Sequence, residues 1–400
     1  MIRTRFRKLI LIALPAAIAA AVVAAVAIEI FVRLAWDESR GRPGFFLSDP
    51  VRGQRLAANY DGWFAGVPAH TNALGFRDSR NYSLEKGRNT FRILVLGDSV
   101  TFGHGAPFET TYPFLLEQRL KSWRPDVNWE VWNLGVPGYN TAQELAYLRE
   151  VGPSYRPDLV VVGFFPNDFT GVEPISNPGV IRRALSGILR TMQRHVYSTE
   201  LYKRVYLTAR FQMFESVSDR RRLEHLESED VLLQPSQSLT APEHTLSEPE
   251  RFSDEAVRAF ECEGIGPRDP GPETLAADIR KRASYLEPWF RAVSGFQQLH
   301  RDGTYKIVFF ANMAPFACAQ ADRFIDQGTV ADSDAVIGVL GAGTPAVSSL
   351  PEFMHYRPSQ MPAAAGHSLG NANLVKAKVL FEYLRDKVLP AMVPPMPANP

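Results

Sequence analysis

Three short segments constrain this chain more than any other feature. "FRILVLGDS" carries the apolar run Ile93 to Leu96 and stops on Gly97, "WEVWNLG" stops on Gly135, and "DLVVVGFF" stops at Phe165. The first and third are apolar at consecutive rather than alternate positions, as strands buried on both faces are. Between them lie segments of helical period. "TYPFLLEQRLKSW" has Phe114, Leu115 and Leu120 at helical spacing, and "TAQELAYLREVG" is expected to end at Gly152. Strand, helix, strand, helix, strand is the pattern of a parallel sheet with crossover helices, so the expected fold class is α/β. The pattern resumes later. "AADIRKRASYLEPWFRAVSGFQQLH" reads as one helix, "YKIVFFAN" as a fourth strand and "PAVSSL" as a short fifth. A last helix is expected from about Asn371 to Leu389, with Leu374, Ala377, Phe381, Leu384 and Val388 on one face.

With 400 residues and 45% hydrophobic content, the chain can bury one large core, alone or with appendages. Its 44 basic and 43 acidic residues leave a formal charge of +1, which gives no field for nucleic acid. The N-terminus is a topological signal. Arg3, Arg5, Arg7 and Lys8 precede Leu9 to Ile28, a stretch free of charge and long enough as a helix to cross a bilayer. The basic cluster predicts a cytoplasmic tip and an extracytoplasmic, periplasmic or extracellular, remainder. A cleaved signal peptide is the competing reading, since Ala25-Val26-Ala27 resembles a cleavage site. Signal cores run only ~7–15 residues, which favours an uncleaved single-pass anchor. The expected organisation is therefore a tip and anchor at 1–36, an irregular lead-in at 37–90 packing on the main domain, and a main domain at 91–400.

That main domain carries an insertion at 169–270. Its first half, Val180 to Phe214, is basic and amphipathic, with Arg182, Arg183, Arg190, Arg194, Lys203 and Arg204. Lying on a membrane surface and capping the domain with a solvated face are both open to such a segment, and the second is the commoner. "DRRRLEHLESED" reads as an exposed helix and "PSQSLTAPEHTLSEPE" as a mobile loop. Cys262 and Cys318, the two cysteines, form either one disulfide, if the domain is exported, or two separate thiols. No cluster has metal-ligand spacing, and no cofactor is expected.

Candidate chemistry gathers where the first three strands end. In an open parallel sheet, ligands bind beyond the carboxyl ends of the strands. "GDSVTFG" puts Ser99 at the turn out of the first strand, where a helix N-terminus favours a developing oxyanion. A phosphate loop is excluded because no Gly-Lys-Ser/Thr follows. "NLGVPGYNT" sets Gly138 beyond the second strand, and "GFFPNDF" sets Asn167 beyond the third. The N–H groups of Ser99 and Gly138 and the Asn167 amide are candidate oxyanion donors. Asp98 and Asp168 stand beside them as possible supporting residues.

These segments resemble the SGNH (GDSL) hydrolases, named for Ser, Gly, Asn and His in four blocks. The blocks map to Ser99 in "LGDSVTFG", Gly138 in "NLGVPGYNT", Asn167 in "GFFPND" and His367 in "AGHSLGN". "TNALGFRD" upstream is similar to bacterial membrane-anchored members. The resemblance covers residues 70–170 well and 275–390 weakly. It implies a flavodoxin-like three-layer sandwich with Ser99 as nucleophile and His367 as general base. The implied activity is ester hydrolysis on an acylated small molecule or polysaccharide, as an esterase or carbohydrate deacetylase. O-acetyl transfer to an exported polysaccharide is the alternative. One position departs from the family: where it carries Asp three residues before the histidine, this chain has Ala364. Three readings stay open: a Ser–His dyad, a carboxylate from elsewhere such as Glu352 or Asp334, and a non-catalytic polysaccharide-binding protein.

Two other assignments compete for the chemistry. Gly366-His367-Ser368-Leu369-Gly370 fits the G-x-S-x-G elbow of α/β-hydrolases, but residues 369–400 contain no histidine, so Ser368 has no base in the required chain order. Of the other seven histidines, His104 could line the pocket. His70, His195, His225, His244, His300 and His355 read as surface or structural.

Overall fold

Along the central strands of the computed structural model, successive side chains alternate between two separate cores. Ile93, Val95, Leu159, Val161, Val308 and Phe310 enter one core. Their neighbours Leu94, Leu96, Val160, Val162, Ile307 and Phe309 enter the other. A pleated strand points consecutive side chains to opposite faces, so only a sheet covered on both sides can bury such runs. The structure describes residues 2–36, 43–169, 174–175, 177–214, 244–262, 274–318, 320–364 and 366–393. "DRRRLEHLESED", His225 and much of "PSQSLTAPEHTLSEPE" lie outside the described residues.

In chain order, helix α1 spans Ile2–Leu34. Two antiparallel hairpins follow: β1 (Phe46–Asp49) with β2 (Gly53–Leu56), and β3 (Asp61–Phe64) with β4 (Val67–His70). Strand β5 (Thr90–Gly97) leads through a single-turn helix, α2 (Ser99–Phe102), to α3 (Tyr112–Trp123) and β6 (Asn128–Gly135). Next come α4 (Thr141–Tyr155) and β7 (Leu159–Phe164). The inserted stretch contributes α5 (Val180–His195), α6 (Ser198–Phe214) and α7 (Asp254–Arg258). The chain returns through α8 (Leu275–Lys281), α9 (Glu287–Arg301), β8 (Ile307–Ala311) and the hairpin β9 (Phe316–Cys318) with β10 (Arg323–Ile325). Helix α10 (Thr329–Leu340), strand β11 (Ala346–Ser348) and the short α11 (Leu350–Phe353) follow. A two-residue pair, β12 (Ala363–Ala364) with β13 (His367–Ser368), precedes α12 (Gly370–Tyr383).

The five-stranded sheet runs β11-β8-β7-β5-β6, every neighbour parallel. Counted in chain order this is 2-1-3-4-5, the flavodoxin-like doubly wound arrangement, whose order reverses beside its first strand. Leu115, Leu116 and Leu120 of α3, with Ala377 and Leu380 of α12, cover one face. Leu145 and Leu148 of α4, Trp289, Val293 and Phe296 of α9, and Val336 and Leu340 of α10 cover the other. Helix α4 starts on a capping box, with the Asn140 side chain accepting from the Gln143 N–H and the Gln143 side chain accepting from the Asn140 N–H, each at 3.0 Å.

Four expectations change. Residues 37–90 are not simply irregular, because they form the two hairpins, and Phe45, Leu47, Leu56, Phe64 and Phe76 enter the main core. Three buried arginines tie this lead-in down: Arg52 to Glu150 of α4 at 3.0 Å, Arg77 to backbone carbonyls after β5, and Arg92 of β5 to the Ser83 carbonyl at 2.8 Å. Helix α4 runs past Gly152 to Tyr155. Gly152 serves close packing there, since a Cβ on it would overlap the Tyr305 hydroxyl, and Arg156 ends the helix at φ 46°. The expected helix over 276–300 is broken, because Arg282 turns left-handed at φ 51° and Pro288 fits only the first turn of a new helix. The basic segment from Val180 to Phe214 is two helices separated near Val196, and it turns apolar side chains such as Ile181, Leu185 and Ile188 to solvent along with Arg182, Arg183 and Arg194.

Within α1, Ala13–Leu34 is long and apolar enough to cross a membrane, with mean hydropathy 2.4 and none of it buried against the protein. A signal sequence has the same properties. Cys262 and Cys318 are joined in a disulfide with Cα atoms 6.0 Å apart, tying the end of the inserted stretch to β9.

Candidate active site

Strand β5 delivers Ser99 to the carboxyl edge of the sheet. Helix α2 starts abruptly there because α2 lies directly against the strand ends. A Cβ on Gly97 would overlap the Thr101 hydroxyl, and one on Gly135 would overlap the Phe102 N–H. Asp98 caps the turn, accepting from the Val100 N–H at 2.8 Å. Asn133 of β6 donates to the Thr101 carbonyl at 2.9 Å, and Thr101 and Tyr112 share a hydroxyl bond at 2.8 Å. From the other side Arg77 donates to the carbonyls of Phe102 (2.6 Å), Gly103 (2.7 Å) and Ala106 (2.6 Å), with its guanidinium over the Phe102 ring. The serine thus sits on a turn fixed at both ends, and is itself only 6% exposed.

His367 arrives from the far end of the chain. Its strand β13 pairs with β12 so that Ala364 and His367 are direct partners, and the imidazole reaches Ser99 with Nε2 2.8 Å from Oγ. That is hydrogen-bond distance for proton transfer between a hydroxyl and a base. His104, five residues after Ser99, lies buried against the same imidazole. The two rings stack at 4.4 Å between centroids and 23° between planes, and Phe64 meets His104 edge-on at 5.1 Å.

The other expected residues divide. Asn167, in a 3-10 turn after β7, donates through Nδ2 to Asp98 at 2.8 Å. This bond holds the amide at the edge where Ser99 emerges, and an amide nitrogen carries two hydrogens. Gly138 occupies an exposed left-handed turn at φ 80° beyond β6, closed by the Tyr139 N–H donating to Val136. Asp98 links the Ser99 turn to Asn167. Asp168 accepts from the Phe165 N–H at 2.9 Å and so shapes the Asn167 turn. The two distant carboxylates are engaged elsewhere or exposed. Glu352 pairs with Arg251 and Lys378 and accepts from the Tyr356 hydroxyl, while Asp334 is exposed on α10. Ser368 lies on β13 with its carbonyl accepting from Asn373, and no strand of the main sheet leads into it.

Beneath the serine turn is a buried set of ionisable groups, of which sequence reasoning named Asp98 and Asp168 as possible supports and passed over Lys376 and Glu144. Burial raises the Asp98 carboxyl, opposed by its bonds from Val100 and Asn167 and by the Lys376 ammonium. Burial also pulls Lys376 down to about 7, against the attraction of Asp98. Glu144 is held well above the usual carboxylate range by burial and by the charges of Asp168 and Asp98. Asp168 is likewise raised, by burial and by Asp98. Neither oxygen of Glu144 has a hydrogen-bond partner among the described residues. The signal for these residues is positional. Lys376 falls between Ala372 and Leu380 on the buried stripe of α12, and Glu144 falls with Thr141 and Leu148 on that of α4.

Sheet order and the site at its carboxyl edge make this a doubly wound α/β domain of flavodoxin-like order. Residues 95–229 match the model of the GDSL-like lipase/acylhydrolase family. The matched stretch contains Ser99, Gly138 and Asn167, while His367 lies beyond it. Over 77 residues the chain is 36% identical to an arylesterase of Vibrio mimicus, covering 19% of this chain and 38% of that protein's length. Among solved structures, TesA is similar at 13% identity and a TM-score of 0.35, over 74% of this chain and 98% of TesA. A family 3 carbohydrate esterase of Clostridium thermocellum is similar at 10% identity and a TM-score of 0.36, over 76% of this chain and 99% of the esterase.

Proposed function

We propose that this protein is a membrane-anchored, extracytoplasmic serine ester hydrolase, with Ser99 as nucleophile and His367 as general base. The observation that carries the reading is the 2.8 Å contact between Ser99 Oγ and His367 Nε2, made across the whole length of the domain. A binding protein that had lost catalysis would have no need of that alignment. In the proposed reaction Ser99 Oγ attacks the acyl carbonyl as its proton passes to His367 Nε2. The Ser99 and Gly138 N–H groups and the Asn167 amide stabilise the oxyanion. His367 then returns the proton to the leaving alcohol, and water releases the acyl group by the same steps. The substrate class is an ester of a small molecule or polysaccharide, taken from the family match, and α1 holds the enzyme at the membrane.

A serine-directed fluorophosphonate tests this directly. The folded protein should be labelled at Ser99, and Ser99→Ala should lose both labelling and hydrolysis of short acyl esters, by on the order of 10³-fold or more. Absence of labelling in folded protein would reject the nucleophile.

A further inference from the structure

Helix α5 is amphipathic in the reverse of the usual sense. A helix of a soluble protein turns its apolar stripe to the core and its polar side to water. Here the polar side packs inward. Ser186 is buried, Gln193 accepts from the Ser48 N–H at 2.8 Å, and Arg190 donates to the Ser48 carbonyl at 3.2 Å. The apolar stripe points out, with Ile181 77%, Leu185 54%, Ile188 59%, Leu189 47% and Met192 44% exposed. Spacings of three and four residues put these side chains on one face, away from Ser186 and Arg190. Helix α6 also exposes apolar side chains, Leu201, Tyr202, Val205, Tyr206 and Met213, although the residue it buries, Leu207, is itself apolar.

The junction between these helices is clamped to the outer end of α1. The Glu29 carboxylate accepts from the backbone N–H groups of Tyr197 (3.0 Å) and Ser198 (2.8 Å). Arg33 donates to the His195 carbonyl at 2.6 Å and lies over the Tyr197 ring, which Trp36 meets edge-on. The exposed face therefore begins where the candidate span leaves the bilayer. Arg182 is exposed at the edge of the apolar stripe and Arg183 and Arg194 on the opposite, polar side of α5, a charge pattern suited to anionic headgroups.

We infer that α5 and α6 form an in-plane lipid-binding platform, their apolar face immersed at the surface of a bilayer containing anionic phospholipid. The inference rests on α1 being embedded in that bilayer. It makes the anchor rigid: the catalytic domain is held at one height and orientation instead of swinging on a tether.

The test uses the full chain in vesicles of phosphatidylglycerol and phosphatidylcholine, with spin labels on single substitutions Ile181→Cys, Ile188→Cys and Met192→Cys. Val22→Cys reports α1, and Leu84→Cys reports an exposed site in the lead-in. The ratio of accessibility to oxygen over a water-soluble nickel complex should be raised at the three α5 positions, as at Val22, by on the order of tenfold over Leu84. Labels at α5 as open to nickel as Leu84, with Val22 in lipid, would overturn the platform and leave the anchor standing. Labels closed to both reagents would mean that protein, a second copy for instance, covers the face, which also overturns it. Val22 open to nickel would remove the anchor and the platform together. Fluorophosphonate labelling of the same samples reads the Ser99 chemistry separately.

Discussion

Ala364 faces His367 across the β12–β13 pair, and directly opposed residues in antiparallel strands carry their side chains on the same face about 5 Å apart. A carboxylate at 364 would therefore stand beside the imidazole. Ala364→Asp is expected to raise kcat about tenfold or more, because the same element in serine-protease triads is worth on the order of 10⁴. An unchanged kcat in a folded variant would mean that other contacts already hold the ring. His104 is the leading such contact, and its role is positioning. His104→Ala should lower kcat on the order of 10–100-fold with little change in KM, whereas His104→Phe, which keeps a stacked ring, should retain most of the activity. Equal losses in the two variants would assign His104 a different role. These outcomes are read from steady-state kinetics with a chromogenic ester.

At the level of elements, the turn carrying Ser99 depends on Arg77, a residue from outside the sheet. Arg77→Ala strands three buried carbonyls and should cost on the order of 3 kcal/mol, read as a shift of the urea midpoint without loss of the secondary-structure signal. This dependence was half legible. "TNALGFRD" stood out as a motif, but nothing in its pattern says that its arginine reaches the turn after β5. The same division runs through the molecule. Strands β5, β7 and β8 were readable because a run buried on both faces has no polar alternation to obscure it. The 3.6-residue period of an apolar stripe made α12 readable in a similar way. The broken helix at Arg282 was not, because a left-handed arginine leaves no compositional trace. Ser99 and Asn167 could be placed from the ends of apolar runs, which is local information. His104 and Lys376 acquire meaning only through contacts between distant segments.

Across the molecule, the buried ionisable groups under the site couple stability to pH. The folded state keeps Glu144 protonated, while the unfolded chain releases that proton above its ordinary pKa of 4.5. The folded state therefore binds more protons, and the stability this group allows is complete below about 4.5 and is lost as pH rises towards the folded value. Glu144→Gln should match the parent near pH ~4 and exceed it by a growing margin above, up to about 1.4 kcal/mol per pH unit of that window, in urea melts. A constant difference at all pH values would show that Glu144 does not titrate as described. The sheet topology carries a consequence of another kind. β7 is a central strand, yet its partner β8 is separated from it by about 140 residues, a gap occupied by the inserted stretch. At the usual ~5–20 residues per second of synthesis, β8 emerges roughly 7–30 s after β7. Throughout that interval one edge of Leu159–Phe164, apolar along its whole length, has no neighbour. A growing chain of this design is a natural client for holding chaperones, and its yield on overproduction should be governed by that waiting time more than by the stability of the finished sheet.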